Sequence, residues 1–333
     1  MSIDHPYILF LGDAPDQLAA KTANGVALWR RDWCIGQMRL DGCQATVGLP
    51  DITLEGGVAA GAKTLVIGVA NRGGRISADW QETLLKALDL GLDLASGLHN
   101  RLTDVPALKE AADRLGRRLF DVRHPTRDFE VGSGAPRSGK RLLTVGSDCS
   151  VGKMFTSLAV EKEMKARGWK ADFRATGQTG ILIAGDGVSV DAVVSDFVSG
   201  ATEWLSPAND EDHWDLVEGQ GSLFHPSFAG VSMGLLHGAQ PHALVLCHEP
   251  GRPHMRGLAG YPVPDLADCI ALNERCARLT NPNAKTVGIA CNTSGLNDAD
   301  TDRVLATLSD RFGLPSVDPM KHSVAPIVDA LQG

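Results

Sequence analysis

The segment from Gly146 to Lys153 contains the residue types that bind phosphate. It reads GSDCSVGK and has the spacing of a P-loop, with Ser147 in the first small-residue position, four residues between, and then Gly152 and Lys153. Small residues let consecutive backbone N–H groups curve around a phosphate, a helix that begins here adds the positive end of its dipole, and the lysine adds a full charge. We expect these residues to contact a phosphate-bearing ligand: Gly146, Ser147, Asp148, Cys149, Ser150, Val151, Gly152, Lys153 and Met154.

The residue after the lysine departs from the usual P-loop. A Ser or Thr normally stands there and holds magnesium, but this chain has Met154, whose thioether is a poor ligand for that hard ion. Thr156 or Ser157 could take over only if the helix started later. The pattern therefore favours binding of a phosphate-bearing ligand over hydrolysis of Mg-ATP, and we expect no metal to be required.

Apolar runs that alternate with helical patterns surround this loop. In the N-terminal part, runs at 7–12, 63–70 and 92–95 end in Gly, Asn or other polar residues, and residues 79–90 have a helical pattern. In the C-terminal part the strand-like runs lie at 141–145, 171–175, 214–217, 243–247 and 286–290. A helix is predicted from about Met154 to Arg167, with Gly168 as the residue that ends it. This alternation predicts an α/β fold with parallel sheets.

A polar stretch rich in Arg, Pro, Gly and Ser separates the two series of strands. We predict a Rossmann-like N-terminal domain at 1–125, a linker at 126–140 and a P-loop NTPase-like, doubly wound C-terminal domain at 141–333. In such sheets the ligand binds at the carboxyl ends of the strands.

Charge and cysteine content exclude several classes of protein. The chain has 32 Lys and Arg against 40 Asp and Glu, a net charge of −8, so no basic face for nucleic acid is expected. The longest stretch without charged side chains, between Glu218 and Glu249, is broken by prolines and histidines and reads as protein interior rather than a membrane span. Seven scattered cysteines without a C-x-x-C pair favour a reducing cytoplasm over disulfides or zinc. We also expect a homo-oligomer.

Two side chains beside the predicted phosphate site could move a proton. Glu218 stands where a strand ends and a Gly-rich turn begins, so it could act as a general base, hold a metal or simply cap the turn. His225 follows in the same uncharged segment and could relay a proton or serve as a buried structural histidine.

Other polar residues at strand ends could bind the rest of a ligand. Arg72 and Arg252 could each grip a carboxylate through both guanidinium nitrogens, although most arginines only lie on the surface. Asn292 ends a strand where related nucleotide folds place a purine, so it could pair with adenine or form a plain turn. The substrate-binding candidates are Asn71, Arg72, Gln178, Gln220 and Arg252.

The loop GSDCSVGK resembles the P-loops of the dethiobiotin synthetase class. A resemblance over nearly the whole chain rests on LGDAPDQLAAKTANG, TLVIGVANRGG, GSDCSVGKM, ATGQTGILIAGDG, VEGQGSLFHP, HGAQPHALVLCHEPGRP and GLPSVDP. These motifs, in this order, resemble a P-loop family whose best-defined members are D-glutamate N-acetyltransferases of the DgcN type.

The resemblance implies transfer of acetyl from acetyl-CoA to the amine of D-glutamate. Lys153, Glu218 and His225 are then the catalytic candidates, with loop amides or Lys153 stabilising the oxyanion. Cys149, if the helix dipole and Lys153 lower its pKa, could instead form a transient acetyl-cysteine. Two other functions stay open: an ATP-dependent ligase or kinase of the dethiobiotin synthetase class, and a nucleotide-binding regulator without turnover.

Overall fold

The computed structural model describes residues 2–69 and 76–332, which form two compact units. The described residues up to Arg127, together with Gly177–Ala192, make up the first unit. The second consists of Asp128–Thr176 and the described residues from Val193 onward. This division differs from the predicted domains, which assign all of 141–333 to the C-terminal one.

The first unit is built on a five-stranded sheet in the order β2-β1-β3-β4-β5 with parallel neighbours. Its strands are β1 (Tyr7–Gly12), β2 (Cys34–Arg39), β3 (Thr64–Ile67), β4 (Asp93–Ser96) and β5 (Leu119–Asp121). The apolar runs at 7–12, 63–70 and 92–95 correctly predict β1, β3 and β4. The sequence shows no comparable apolar run at β2 or β5, because β2 is only partly buried and β5 has three residues.

Helices of the first unit begin and end at conventional signals. They are α1 (Lys21–Trp29), α2 (Leu54–Ala59), α3 (Ala78–Asp89), α4 (Pro106–Leu115) and, later in the chain, α6 (Gln178–Ala184). Ser77 caps α3 by accepting a hydrogen bond from the Trp80 N–H, and Gly116 ends α4 in the left-handed conformation. The segment that contains α6 contacts the first unit, since the Thr179 hydroxyl lies 3.4 Å from that of Thr22 in α1 and the Ile3 N–H donates to the Gly185 carbonyl at 3.0 Å.

The second unit is built on a six-stranded parallel sheet in the order β11-β10-β9-β6-β8-β7. Its strands are β6 (Lys140–Gly146), β7 (Ala171–Arg174), β8 (Trp214–Val217), β9 (Ala243–His248), β10 (Lys285–Cys291) and β11 (Ser316–Val317). Five were predicted. The sixth, β11, has only two residues and is too short to give an apolar run. The predicted α/β class with parallel sheets is confirmed.

The helices of the second unit connect these strands. They are α5 (Lys153–Ala166), α7 (Val198–Leu205), α8 (Ala229–Ala239), α9 (Leu266–Ala277), α10 (Asp298–Phe312) and α11 (Ala325–Asp329). The predicted helix after the P-loop is α5, and Gly168 follows it with a φ of 77°, as expected for the residue that ends a helix. Within the described residues, no helix is both long enough and apolar enough to cross a membrane.

The strand order brings three loops to one edge of the second unit. β6 lies at the centre of the sheet between β9 and β8, and all three strands run in the same direction. Their carboxyl ends are therefore adjacent, and so are the segments that follow them: residues 147–152, 218–228 and 249–265. These segments contain most of the predicted site residues.

Gly219, directly after β8, lies against the backbone of β6. A Cβ at this position would stand 1.6 Å from the Thr144 carbonyl oxygen, and the Gly219 N–H donates to the Thr144 hydroxyl at 2.9 Å. We predict that Gly219→Ala lowers the free energy of unfolding by about 3 kcal/mol, because two backbone segments must move apart in the core. Urea unfolding followed by circular dichroism measures this change.

Gly230→Ala is the matched control for this substitution. Gly230 is exposed in α8, and no atom lies within 4 Å of the position its Cβ would take. Alanine there should raise the free energy of unfolding by up to about 1 kcal/mol through its higher helix propensity. Equal unfolding midpoints for the two variants would contradict the close approach of β8 to β6.

Candidate functional site

The P-loop joins the end of β6 at Gly146 to the start of α5 at Lys153. Ser150 and Gly152 have positive φ angles, 54° and 100°, and Gly152 leads directly into the helix. Among the described residues, no acceptor is bonded to the backbone N–H groups of five consecutive residues: Ser150, Val151, Gly152, Lys153 and Met154. Unpaired N–H groups at the positive end of a helix form an anion site, so this loop suits a phosphate group.

The side chain of Lys153 lies inside the loop that it follows. It is buried, and its Nζ donates to the Asp148 carbonyl oxygen at 2.8 Å. Burial lowers its pKa, and the nearby Cys247, Cys149, Asp148 and Glu218 groups act in the opposite direction. The lysine therefore fastens the loop as well as adding positive charge to it.

The helix after the P-loop does not start late enough for Thr156 or Ser157 to take the place of the missing hydroxyl. Because α5 begins at Lys153, Met154 stands in the place usually taken by the magnesium-binding hydroxyl. The Thr156 hydroxyl donates to the Gly152 carbonyl at 3.0 Å, and that of Ser157 lies 3.1 Å from the Thr144 hydroxyl. Neither hydroxyl replaces the missing one, because both are bonded within the protein.

Asp148 is a fully buried carboxylate at the centre of the loop. Oδ1 accepts from the Cys149 N–H at 2.6 Å, and Oδ2 accepts from the Arg256 N–H at 2.8 Å and from the Arg252 guanidinium at 2.6 Å. Burial alone would raise its pKa, but the Arg252 and backbone hydrogen bonds hold the pKa below the usual value. Asp148 is therefore ionised at neutral pH.

Arg252 holds the P-loop from outside. Besides Asp148, its guanidinium bonds the carbonyls of Cys149 at 2.7 Å and Ser150 at 3.2 Å, and it pairs with Glu249. From the sequence, Arg252 was a candidate to grip a substrate carboxylate. In the structure its guanidinium nitrogens bond protein groups instead, so Arg252 positions the P-loop.

Glu218 and Gln220 link the ends of β7 and β8. The buried Glu218 accepts from the Thr176 N–H at 2.9 Å through Oε2 and from the Gln220 amide at 3.2 Å through Oε1. The Thr176 hydroxyl donates to the Glu218 carbonyl oxygen at 2.6 Å and accepts from the Gln220 amide at 3.1 Å. Glu218 is also close enough to Lys153 for its charge to raise the pKa of that lysine.

His225 is buried and uses both ring nitrogens. Nδ1 accepts from the Ser227 N–H at 3.2 Å, so the ring proton is assigned to Nε2, which lies 3.1 Å from the Arg256 carbonyl oxygen. This geometry favours the role of a buried structural histidine over that of a proton relay.

The expected low pKa of Cys149 is wrong. Burial raises the pKa of this half-buried thiol, and the charge of Asp148 acts in the same direction. Lys153, Arg256 and Arg252 lower it, but by less than burial and Asp148 together raise it. The thiol is therefore protonated at neutral pH and is a weak nucleophile.

His248, which the sequence analysis did not select, lies beside the P-loop at the end of β9. Its Nδ1 is 2.9 Å from the hydroxyl of Ser147, and no described residue is bonded to its Nε2. Burial lowers its pKa to about 4, so the imidazole is neutral at pH 7. Its place at a strand end next to the loop was the available signal in the sequence.

Asp148, Cys149 and His225 each place a potential metal ligand within 4.8 Å of the others. However, the carboxylate of Asp148 already accepts three hydrogen bonds, and His225 uses both nitrogens. A bound ion would have to displace several of these bonds, so the three side chains fit a resident metal poorly.

Of the remaining candidates, the structure describes Asn292 and Gln178. Asn292, after β10, accepts from the Ser294 N–H at 3.2 Å, which is the bond of a turn. Gln178 belongs to the first unit, where its side chain lies against Gly97. Asn71 and Arg72 lie outside the described residues.

Two family profiles match the chain. A profile described as "Domain of unknown function (DUF1611_C) P-loop domain" matches residues 130–328, and one described as "Domain of unknown function (DUF1611_N) Rossmann-like domain" matches residues 38–125. The predicted combination of a Rossmann-like N-terminal domain and a P-loop C-terminal domain is thereby confirmed.

Three proteins resemble the chain over its full length. A D-glutamate N-acetyltransferase from Tritonibacter scottomollicae is 56% identical and aligns with 99% of each chain. One from a Pseudoalteromonas species is 48% identical and aligns with 98% of this chain and 99% of its own. The crystal structure of a DUF1611 family protein from Anabaena variabilis is 32% identical, covers 99% of this chain and 100% of its own, and has a TM-score of 0.85. The chain therefore belongs to the DUF1611 family.

Proposed function

We propose that this protein transfers the acetyl group of acetyl-CoA to the amine of D-glutamate. The observation that carries the proposal is the 56% identity, over 99% of both chains, to a protein named D-glutamate N-acetyltransferase. The expected homo-oligomeric state and cytoplasmic location remain predictions.

The P-loop supports CoA as the donor. CoA carries a pyrophosphate and a 3′-phosphate, and free N–H groups at a helix start can bind one of these without any phosphoryl transfer. Met154 supports the same conclusion, because a loop that only binds phosphate has no need of the hydroxyl that holds magnesium against the β- and γ-phosphates.

The reaction requires two things of the protein. The amine nitrogen attacks the thioester carbonyl, the N–C bond forms, and the C–S bond breaks as CoA leaves as the thiol. The amine must lose a proton, and the tetrahedral oxyanion needs hydrogen-bond donors.

We assign the proton-accepting role to His248, with the ring proton placed on Nδ1 and donated to the Ser147 hydroxyl, so that Nε2 is the acceptor. Glu218 and His225, the candidates from the sequence, are each bonded to protein groups through both polar atoms of their side chains. His248 is neutral at pH 7, is oriented by Ser147 through Nδ1, and has Nε2 without a partner in the described part of the chain. Since the Cys149 thiol is protonated, direct attack by the amine is favoured over an acetyl-cysteine.

The first prediction tests the reaction itself. Purified protein with D-glutamate and acetyl-CoA should release CoA thiol and form N-acetyl-D-glutamate without ATP and in the presence of EDTA, because thioester aminolysis needs no phosphoryl transfer. Thiol titration and product mass measure turnover. If turnover requires Mg-ATP, the protein is a ligase or kinase instead. If no donor is consumed with any amino acid, a nucleotide-binding regulator is the better assignment.

The second prediction concerns the charge of Lys153. We expect Lys153→Ala to raise the Kd for CoA about 10- to 100-fold, since charge-assisted hydrogen bonds contribute about 1.5–3 kcal/mol. Titration calorimetry measures the Kd. Lys162→Ala is the matched control, because Lys162 is exposed on the same helix, and its Kd should equal that of the wild type. An unchanged Kd for Lys153→Ala would argue against the P-loop as the donor site.

The third prediction separates direct transfer from a covalent intermediate. His248→Asn should lower kcat about 100-fold, because a general base contributes about 10²–10⁴ and the asparagine amide can still bond Ser147 but has no group at Nε2. Cys149→Ser should keep most of its activity. Rapid-quench mass spectrometry of the wild type provides the second measurement: an acetyl group on Cys149 that forms and decays as fast as turnover would overturn direct transfer.

A further inference from the structure

The segment of residues 249–265 after β9, here called the β9 loop, lies against the P-loop. Arg252 and Glu249 make one set of contacts, described above. Four residues beyond Arg252, Arg256 occupies a different environment, and it has no part in the reaction proposed above.

The backbone of Arg256 is held on both sides by buried side chains. Its N–H donates to Asp148 Oδ2 at 2.8 Å, and its carbonyl oxygen lies 3.1 Å from His225 Nε2. Asp148 is fully buried and His225 is 2% exposed. Two buried polar groups, one of them in the P-loop itself, therefore fix the position of a single backbone residue.

The neighbouring residue anchors the loop as well. The side chain of Met255 is 3% exposed, its N–H donates to the Tyr261 carbonyl at 2.8 Å, and its carbonyl accepts from the Leu258 N–H at 3.0 Å. Hydrogen bonds therefore hold the backbone of Arg256 and of its neighbour, whereas the side chain of Arg256 is exposed.

The guanidinium of Arg256 has no ion pair or hydrogen bond among the described residues, in contrast to that of Arg252. Its charge nevertheless reaches the P-loop, since it lowers the pKa of Cys149. An unneutralised cation thus stands beside a loop whose free N–H groups form an anion site.

We propose that Arg256 binds a phosphate group of the ligand held by the P-loop. A guanidinium pairs with phosphate through two parallel hydrogen bonds, and the bond from Asp148 ties its backbone to the loop that holds the phosphate. The identification of that ligand as CoA depends on the proposed function, whereas the phosphate chemistry does not.

The test compares Arg256→Gln with the wild type for binding and for turnover. Titration calorimetry with CoA and, separately, with inorganic pyrophosphate should give Kd values at least about tenfold higher for the variant. The KM for acetyl-CoA should rise while kcat and the KM for D-glutamate stay within about twofold. Arg256→Lys, which keeps the charge but not the planar fork, should lie between the two.

Arg275→Gln is the matched control. Arg275 is exposed in the last turn of α9, and since α9 leads into the start of β10, it lies toward the opposite edge of the sheet from the P-loop. The Kd values of the Arg275→Gln variant for CoA and for pyrophosphate should equal those of the wild type. Equal losses in both variants would indicate a nonspecific effect of net charge and overturn the proposal.

Binding and turnover separate this inference from the proposed function. If the protein acetylates no D-glutamate but Arg256→Gln still weakens CoA and pyrophosphate binding, the phosphate site stands and the proposed function fails. If the variant binds both phosphates normally, or if only the KM for D-glutamate rises, Arg256 does not bind phosphate. A wild-type protein that binds neither CoA nor pyrophosphate also overturns the proposal.

Discussion

The ion pair between the buried Asp148 and the partly buried Arg252 is the interaction on which the candidate site depends. A carboxylate without solvent exposure is costly unless every lone pair finds a donor, and this one accepts from a guanidinium and two backbone N–H groups. Removing one partner from such a pair typically costs about 3–5 kcal/mol, because the other charge is left buried. Since Arg252 also bonds two P-loop carbonyls, the same pair that satisfies the buried charge fixes the conformation of the loop.

Strand order explains why one ion pair can organise so much of the site. Asp148 follows β6 and Arg252 follows β9, which is the neighbour of β6 on one side, while β8 lies on the other. On the β8 side, Gly219 comes so close to Thr144 that only glycine fits, and the chain then continues to His225, whose ring bonds the β9 loop. Three segments distant in sequence therefore support one another at a single edge.

The resulting site is suited to binding a phosphate group and holding it still. The P-loop offers five consecutive backbone N–H groups and an internal lysine, but methionine replaces the residue that would hold magnesium. Phosphoryl transfer depends on metal-bridged phosphates, whereas thioester aminolysis needs a positioned donor, a proton acceptor and oxyanion stabilisation. In the proposed reaction the proton acceptor is His248, which is neutral and adjacent to the loop.

The sequence alone determined the strands that are long and apolar, a helix that begins at about Met154 directly after the loop, and the identity of the P-loop, because these depend on neighbours in the chain and on local backbone chemistry. Only the tertiary structure decided what individual side chains do. Arg252 bonds the loop rather than standing free, and the pKa of Cys149 is raised rather than lowered. Arg252 is about a hundred positions from the loop that it bonds, and the pairing of β6 with β9 brings the two into contact. The raised pKa of Cys149 follows from burial of its thiol in the folded chain.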